Sequence, residues 1–145
     1  MKKVMLVGKS GCGKTTLSQR MLGLEVQYRK TQAIEVLGGA ILDTPGEYLE
    51  QRGFYKALIV TSVQVDVIVL VQDATDAQNA FSPGMAGMFP RPVLGVVTKS
   101  DRCEGPGLLT RAETLLRLAG ARAVFVTGLR EEAGLSALMD AIAQA

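Results

Sequence analysis

An eight-residue segment near the start of the chain has the composition and spacing of a phosphate-binding loop. It reads Gly8-Lys9-Ser10-Gly11-Cys12-Gly13-Lys14-Thr15 and directly follows the apolar run from Val4 to Val7. The glycines allow the backbone to fold closely around an anion, so that consecutive N–H groups and the start of the next helix point at phosphate oxygens. Lys14 adds a positive charge, and the Thr15 hydroxyl can coordinate a magnesium ion that bridges the terminal phosphates. The segment predicts a nucleoside phosphate and Mg²⁺ as ligands.

Two further motifs follow predicted strands. Asp43-Thr44-Pro45-Gly46 places a carboxylate where it can reach the metal through a water and a Gly46 N–H where it can meet the γ-phosphate, although D-x-x-G can also be a simple turn. Thr98-Lys99-Ser100-Asp101 offers a carboxylate that can accept from N1–H and the N2 amino group of guanine, whereas adenine has an acceptor at N1. The methylene groups of Lys99 can lie along the purine face, and the alternative is a solvated loop.

Alternating strands and helices predict how these motifs are positioned. The strands are expected at 4–7, 33–37, 40–43, 66–71, 93–97 and 123–126, with Gly38-Gly39 as the turn of a hairpin. The helices are expected at 15–22, 48–64 with an interruption at Gly53, 110–118 and 135–142, and prolines and glycines leave little room for a helix between 73 and 92. In the helix at 110–118 we expect Ala112, Leu115, Leu116 and Leu118 to be buried.

This order of elements predicts an α/β fold of the three-layer P-loop NTPase type, in one domain of residues 1–145. The sheet should be mostly parallel, with about six strands of which one hairpin strand is antiparallel. In such sheets ligands bind at the carboxyl ends of the strands, and all the motifs named above follow strands there. We therefore expect them to converge in space.

Composition excludes several classes of function. The 145 residues are 48% hydrophobic without an apolar segment of the ~20 residues that span a bilayer, and the start lacks a secretory signal, so we expect a soluble protein. A net charge of +2 with scattered basic residues argues against nucleic-acid binding. Two cysteines and no histidine exclude a disulfide framework and imidazole chemistry. Cys12 is either an inert loop residue or a thiol activated by the helix N-terminus.

The order of the motifs resembles that of the translation-factor-related P-loop GTPases: a phosphate loop, a switch threonine, D-x-x-G, [NT]-K-x-D and a last base-contacting loop. The resemblance implies GTP or GDP with Mg²⁺ as cofactors, Thr15, Thr31 and Asp43 as metal ligands, and Lys14, Thr31 and Gly46 as catalytic residues. The implied nucleotide contacts are Gly8, Lys9, Ser10, Gly11, Cys12, Gly13, Lys14, Thr15, Thr16, Thr98, Lys99, Asp101, Thr127 and Gly128.

The chain departs from that pattern at several positions. Glu47 stands where many relatives carry a water-orienting glutamine, and a charged acceptor beside a γ-phosphate orients water poorly, so we expect slow hydrolysis. Thr98 replaces an asparagine that often helps to hold the base, and Thr127-Gly128-Leu129 follows the last loop only loosely. Arg29 is either an internal arginine finger or a solvated surface residue.

More narrowly, the chain resembles the EutP/PduV family, and its propanediol-utilisation branch above all, in three segments: Lys30-Thr31-Gln32-Ala33-Ile34, Asp43-Thr44-Pro45-Gly46-Glu47-Tyr48-Leu49-Glu50 and Phe81-Ser82-Pro83-Gly84. This resemblance implies a bacterial cytosolic protein that acts with a shell or cargo protein of a microcompartment for propanediol or ethanolamine breakdown. Three functions remain open: a nucleotide-dependent switch with weak GTPase activity, a small-acid (acetate-type) kinase that uses ATP or GTP, and a nucleotide-binding structural adaptor of the shell.

Overall fold

A central six-stranded sheet organises the part of the chain that a computed structural model describes, residues 2–23, 34–76, 78, 80–103, 106–128 and 132–145. At positions 35, 37, 106 and 132 only the backbone is described. The strands are β1 (Val4–Val7), β2 (Glu35–Leu37), β3 (Ile41–Asp43), β4 (Val67–Asp73), β5 (Val93–Thr98) and β6 (Val124–Val126), in the order β2-β3-β1-β4-β5-β6. Only β2 pairs antiparallel, with β3. The predicted mostly parallel sheet with one hairpin strand is confirmed.

Helices cover both faces of this sheet and bury two apolar clusters. They are α1 (Lys14–Met21), α2 (Glu47–Glu50), α3 (Tyr55–Ser62), α4 (Pro106–Ala119) and α5 (Glu132–Gln144). Leu17 of α1 and Leu138 of α5 pack on one face, whereas Leu58 of α3 and Leu116 of α4 pack on the other. Burial of these side chains drives the layers together, and the three-layer architecture is confirmed. None of the described helices is long and apolar enough to cross a bilayer.

The helix predicted at 110–118 differs from the prediction in two ways. It begins earlier, at Pro106, because the fixed φ and missing N–H of proline suit the first helical position. Of the residues predicted to be buried, Leu115 is only partly buried and Leu118 is 58% exposed. The buried stripe consists of Ala112, Leu116 and Ala119, and Leu118 lies two residues beyond Leu116, about 200° around the helix.

The two irregular crossovers agree with the sequence. Gly53 lies in a 3₁₀ turn, Arg52–Phe54, which separates α2 from α3. Between β4 and β5 the described residues form only a 3₁₀ turn, Met85–Met88. In the sheet β1 lies between β3 and β4, so the chain first adds strands on one side of β1 and then on the other. The loop after β1 therefore lies beside the segment after β3, at the carboxyl ends of the strands.

Candidate functional site

The loop between β1 and α1 adopts a conformation that requires its glycines. Gly11 and Gly13 have φ of 78° and 99°, in the left-handed region that side chains disfavour. A Cβ on Gly8 would lie 2.6 Å from both the Cys12 Sγ and the Val71 carbonyl oxygen. The backbone therefore has the close, amide-exposing course expected of a phosphate cradle.

The two lysines of this loop point to different partners. The buried Lys14 ammonium donates to the carbonyl oxygens of Gly8 (2.8 Å) and Lys9 (3.1 Å), so its charge is held at the loop. Lys9 pairs with Asp76 at 3.5 Å.

Burial raises the pKa of the Cys12 thiol and outweighs the opposing effect of Lys14. The thiol is therefore neutral at pH 7, which favours the inert interpretation of Cys12.

Two oxygen ligands suited to magnesium lie side by side. The Thr15 hydroxyl donates to Asp43 Oδ2 at 2.5 Å, and Asp43 is fully buried at the end of β3. The Thr44 hydroxyl donates to the Leu6 carbonyl oxygen at 2.6 Å and fastens this segment to β1. Within the described ranges no group of three or more His, Cys, Asp or Glu residues could hold a metal, but Mg²⁺ needs only one or two carboxylates besides phosphate and water. The third predicted ligand, Thr31, and Arg29 lie outside the described residues.

The predicted base-binding residues surround a single pocket. It is lined by Gly13, Thr16, Leu17, Arg20, Thr98, Lys99, Asp101, Arg102, Thr127 and Gly128. These residues come from the start of α1 and from the segments that follow β5 and β6. The pocket thus joins the phosphate loop to both base motifs.

Asp101 is held close to the last loop because residue 128 is a glycine. A Cβ on Gly128 would lie 2.6 Å from Ser100 Oγ and 2.9 Å from Asp101 Oδ1. Arg20 of α1 donates to the Gly128 carbonyl oxygen at 2.8 Å. The buried Ser100 Oγ has no hydrogen-bond partner among the described residues. Arg20 lines the pocket and Ser100 lies against Gly128 at its edge, and sequence reasoning selected neither residue.

Two of the four threonines assigned to nucleotide binding, Thr98 and Thr127, use their hydroxyls within the protein. Thr98 Oγ1 donates to the Cys12 carbonyl oxygen at 2.6 Å, and Thr127 Oγ1 donates to the Val97 carbonyl oxygen at 3.2 Å. Both residues are buried. Thr98 therefore ties the base motif to the phosphate loop, and its contribution to the pocket is the position of the backbone.

Lys99 links three elements at the centre of the site. It is the one non-glycine residue with positive φ (60°) in the described part of the chain, and its ammonium donates to the Gly11 carbonyl oxygen (2.6 Å) and Asp73 Oδ2 (2.9 Å). Burial of Asp73 opposes ionisation, but hydrogen bonds from Lys99 and Thr75 outweigh it and lower the pKa of Asp73. Sequence reasoning missed Asp73. The feature that could have identified Asp73 is that it is a carboxylate at the end of β4, where it lies in register with Thr98 of β5.

The segment after β3 closes against the phosphate loop. A Cβ on Gly46 would overlap the backbone of Ser10, so Gly46 lies directly beside the cradle, as its assigned role requires. One turn later, Glu50 Oε1 accepts a hydrogen bond from the Ser10 N–H at 2.9 Å. Glu50 is exposed, as is Glu47 on the same turn. Sequence reasoning gives Glu50 no role in the site, because nothing in the local spacing of residues indicates a contact with Ser10.

A glycine-rich loop between β1 and α1, with Asp43 at the end of the neighbouring β3, defines the P-loop NTPase fold class. Among solved structures the chain is similar to Methanosarcina barkeri Roco2, in a RocCORdC structure bound to GDP, with a TM-score of 0.62 and 18% identity. The match covers 99% of this chain and 48% of that one, so this chain spans about half of the Roco2 structure. The likeness concerns the fold.

The chain belongs to the PduV-EutP family, described as ethanolamine utilisation and propanediol utilisation, whose model matches residues 1–144. The propanediol utilization protein PduV of Citrobacter freundii is 46% identical over 135 residues, covering 93% of this chain and 89% of that protein. The probable acetate kinase EutP of Escherichia coli K12 is 32% identical over 145 residues, covering 99% and 90%. The family resemblance inferred from the three segments is confirmed.

Proposed function

We propose that this protein is a guanine-nucleotide-binding switch with slow GTP hydrolysis, which acts with a bacterial microcompartment for propanediol or ethanolamine utilisation. The observation that carries the proposal is the single pocket shared by the phosphate loop, Lys99 and Asp101. A ligand in it would meet loop amides at one end and a carboxylate at the other, which is the polarity of a guanine nucleotide.

Different residues of the site would bind different parts of the nucleotide. The loop amides and Lys14 hold the phosphates, and the Thr15 hydroxyl and Asp43 carboxylate would hold the magnesium ion, which neutralises phosphate charge when bound. Asp101 accepts from the guanine edge. Ordering of the Thr31 and Gly46 segments around the nucleotide is the signal that a partner protein reads. Glu47 supports slow turnover, since an acidic acceptor repels a γ-phosphate.

The family supports the choice of partner and location. Its description joins ethanolamine and propanediol utilisation, and the proposal places the chain in the bacterial cytoplasm at or near a microcompartment, bound to a shell or cargo protein. Co-purification of a tagged chain with assembled shells, in the presence of GDP or of a non-hydrolysable GTP analogue, measures this association. Binding that ignores the nucleotide would contradict the switch.

Nucleotide titration tests the guanine assignment. Calorimetry with GTP, ATP and XTP, with and without Mg²⁺, is expected to show preference for GTP. The Asp101→Asn variant should lose about 1.5–3 kcal/mol of GTP affinity, or about 10- to 150-fold, because a charge-assisted hydrogen bond is removed. The same variant should gain XTP affinity, since an amide can donate to the xanthine O2.

An exposed aspartate on α5 provides the matched control. Asp140 is exposed, so Asp140→Asn removes one charge without touching the pocket and should leave all affinities unchanged. Equal binding of GTP and ATP by the parent protein would refute the guanine assignment. An Asp101→Asn variant that binds GTP like the parent would refute the role of that carboxylate.

The second candidate function is phosphoryl transfer from ATP or GTP to a small carboxylic acid. It is favoured by the similarity to a protein named a probable acetate kinase and by Glu47, which disfavours water as the acceptor. In this reaction a carboxylate oxygen attacks the γ-phosphorus, the bond to the β,γ-bridging oxygen breaks, and an acyl phosphate and nucleoside diphosphate are released. Hydroxylamine traps acyl phosphate, and a trapped product that disappears in the Lys14→Ala variant would support the kinase. Slow release of inorganic phosphate without any trapped product would support the switch.

A further inference from the structure

The exposed Glu50 carboxylate accepts a hydrogen bond from the phosphate loop, at the Ser10 N–H. We propose that Glu50 is a specificity-determining residue that selects nucleoside diphosphate over triphosphate by occupying the place of the third phosphate. This inference rests on the proposed nucleotide binding. It concerns a residue that neither the phosphate-loop motif nor D-x-x-G includes.

The contact itself resembles the one a phosphate oxygen would make. Glu50 Oε1 lies 2.9 Å from the Ser10 nitrogen, the usual length of a charge-assisted N–H···O⁻ hydrogen bond. Ser10 belongs to the half of the loop that faces the segment after β3, whereas Gly13 and Lys14 begin α1. A carboxylate at Ser10 therefore competes with an anion at that end of the cradle, and not at the helix end.

Closure of the neighbouring segment reinforces the competition. Gly46 approaches Ser10 so closely that even a methyl group between them would overlap. A γ-phosphate that reaches the Gly46 N–H must enter between these two residues. It must therefore displace Glu50 and open the gap, whereas a diphosphate bound at the start of α1 requires neither movement.

Packing holds Glu50 in this place. The preceding Leu49 is 3% exposed in the apolar cluster beneath α2. The Tyr48 and Phe54 rings stack at a centroid distance of 4.7 Å and an interplanar angle of 8°. The turn that carries Glu50 is thus anchored by the buried Leu49 and by the Tyr48–Phe54 ring stack, which fix the backbone from which the exposed Glu50 side chain reaches the loop.

The ratio of two dissociation constants tests the proposal. Calorimetry would measure Kd for GDP and for a non-hydrolysable GTP analogue with Mg²⁺ in the parent chain, in Glu50→Gln and in Glu113→Gln. Glu50→Gln should tighten the triphosphate about fivefold relative to GDP, because one competing charge-assisted hydrogen bond is weakened at an exposed site. GDP itself should change less than about twofold.

Glu113 of α4 supplies the control, since Glu113→Gln removes the same charge elsewhere on the chain and should leave the ratio unchanged. The same shift in both variants would mean a general charge effect and would overturn the inference. An unchanged ratio in Glu50→Gln, with GDP and GTP still bound, would overturn the inference and leave the proposed function intact. Absence of binding of either nucleotide by the parent chain would overturn both.

Discussion

The ion pair between Lys99 and Asp73, at the centre of the site, is expected to raise the free energy of unfolding of the protein. The Asp73→Asn substitution tests this expectation. Asp73 accepts from Lys99 Nζ (2.9 Å), the Thr75 N–H (2.8 Å) and the Thr75 hydroxyl (2.6 Å). The asparagine oxygen can keep the Thr75 bonds, but its amide group would place N–H donors against the ammonium of Lys99. The change therefore removes one charge-assisted hydrogen bond.

The size of the effect follows from burial. The Lys99 and Asp73 side chains are 28% and 14% exposed, so solvent screens the pair only partly. A charge-assisted hydrogen bond contributes about 1.5–3 kcal/mol when well buried, and partial exposure reduces the expected loss to about 1–2 kcal/mol. Urea unfolding followed by far-UV circular dichroism measures it, with Lys99→Met completing a double-mutant cycle.

The effect should also depend on pH with a definite sign. Because the pKa of Asp73 is lowered in the folded state, ionised Asp73 adds stability that is complete above its unfolded pKa of about 3.9. That stability is lost as pH falls through the lower folded-state pKa. The difference between the parent and Asp73→Asn should thus be constant from about pH 5 to 7 and shrink below about pH 4.

A nearby, more exposed pair is the control for this experiment. Asp76 lies 3.5 Å from Lys9, with side chains 31% and 23% exposed, so Asp76→Asn should cost less than about 0.5 kcal/mol. Equal losses for the two aspartates would refute the reasoning about Asp73, as would a loss that does not change between pH 7 and pH 3.

Two further substitutions test how the cradle is built. Gly8→Ala should destabilise the fold by about 1–3 kcal/mol in urea unfolding, because its Cβ would lie 2.6 Å from Cys12 Sγ and the Val71 carbonyl oxygen; a variant as stable as the parent would show that the loop relaxes freely. Thr98→Val should cost about 1–2 kcal/mol and weaken GDP binding, since the Cys12 carbonyl oxygen loses its 2.6 Å bond, whereas Thr98→Ser should keep both properties. Equal behaviour of the valine and serine variants would refute the role of that hydroxyl.

Much of the architecture could be predicted because its signals are local. The β-branched run of β4, covered on both faces, reads as a central strand, and Gly38-Gly39 between two apolar runs reads as a hairpin. Element boundaries depend on less local information, and α4 begins at Pro106, four residues before its predicted start. The predicted burial of Leu118 was wrong. Helical spacing shows which residues share a face of the helix, but not which face packs on the sheet, and here the packed face carries Leu116 and Ala119.

The residues that couple the motifs could not be predicted from spacing. Asp73 and Glu50 are 26 and 40 positions from the groups they contact, Lys99 and Ser10, and a single acidic residue carries no sequence signature of such a contact. Thr98 was assigned to the nucleotide, but its hydroxyl bonds to the Cys12 carbonyl oxygen across 86 positions. These pairings arise from the order in which the strands lie in the sheet.

The sequence by itself determined the α/β class, the phosphate loop and the family, because glycine spacing, strand periodicity and motif order are encoded within short stretches of chain. Only the tertiary structure decided that Lys99 is tied to Asp73 and that Glu50 lies on the Ser10 N–H. The physical reason is that parallel pairing brings strand ends from distant parts of the chain to one edge. Charge and hydrogen bonding act there over a few ångströms, whatever the separation in sequence.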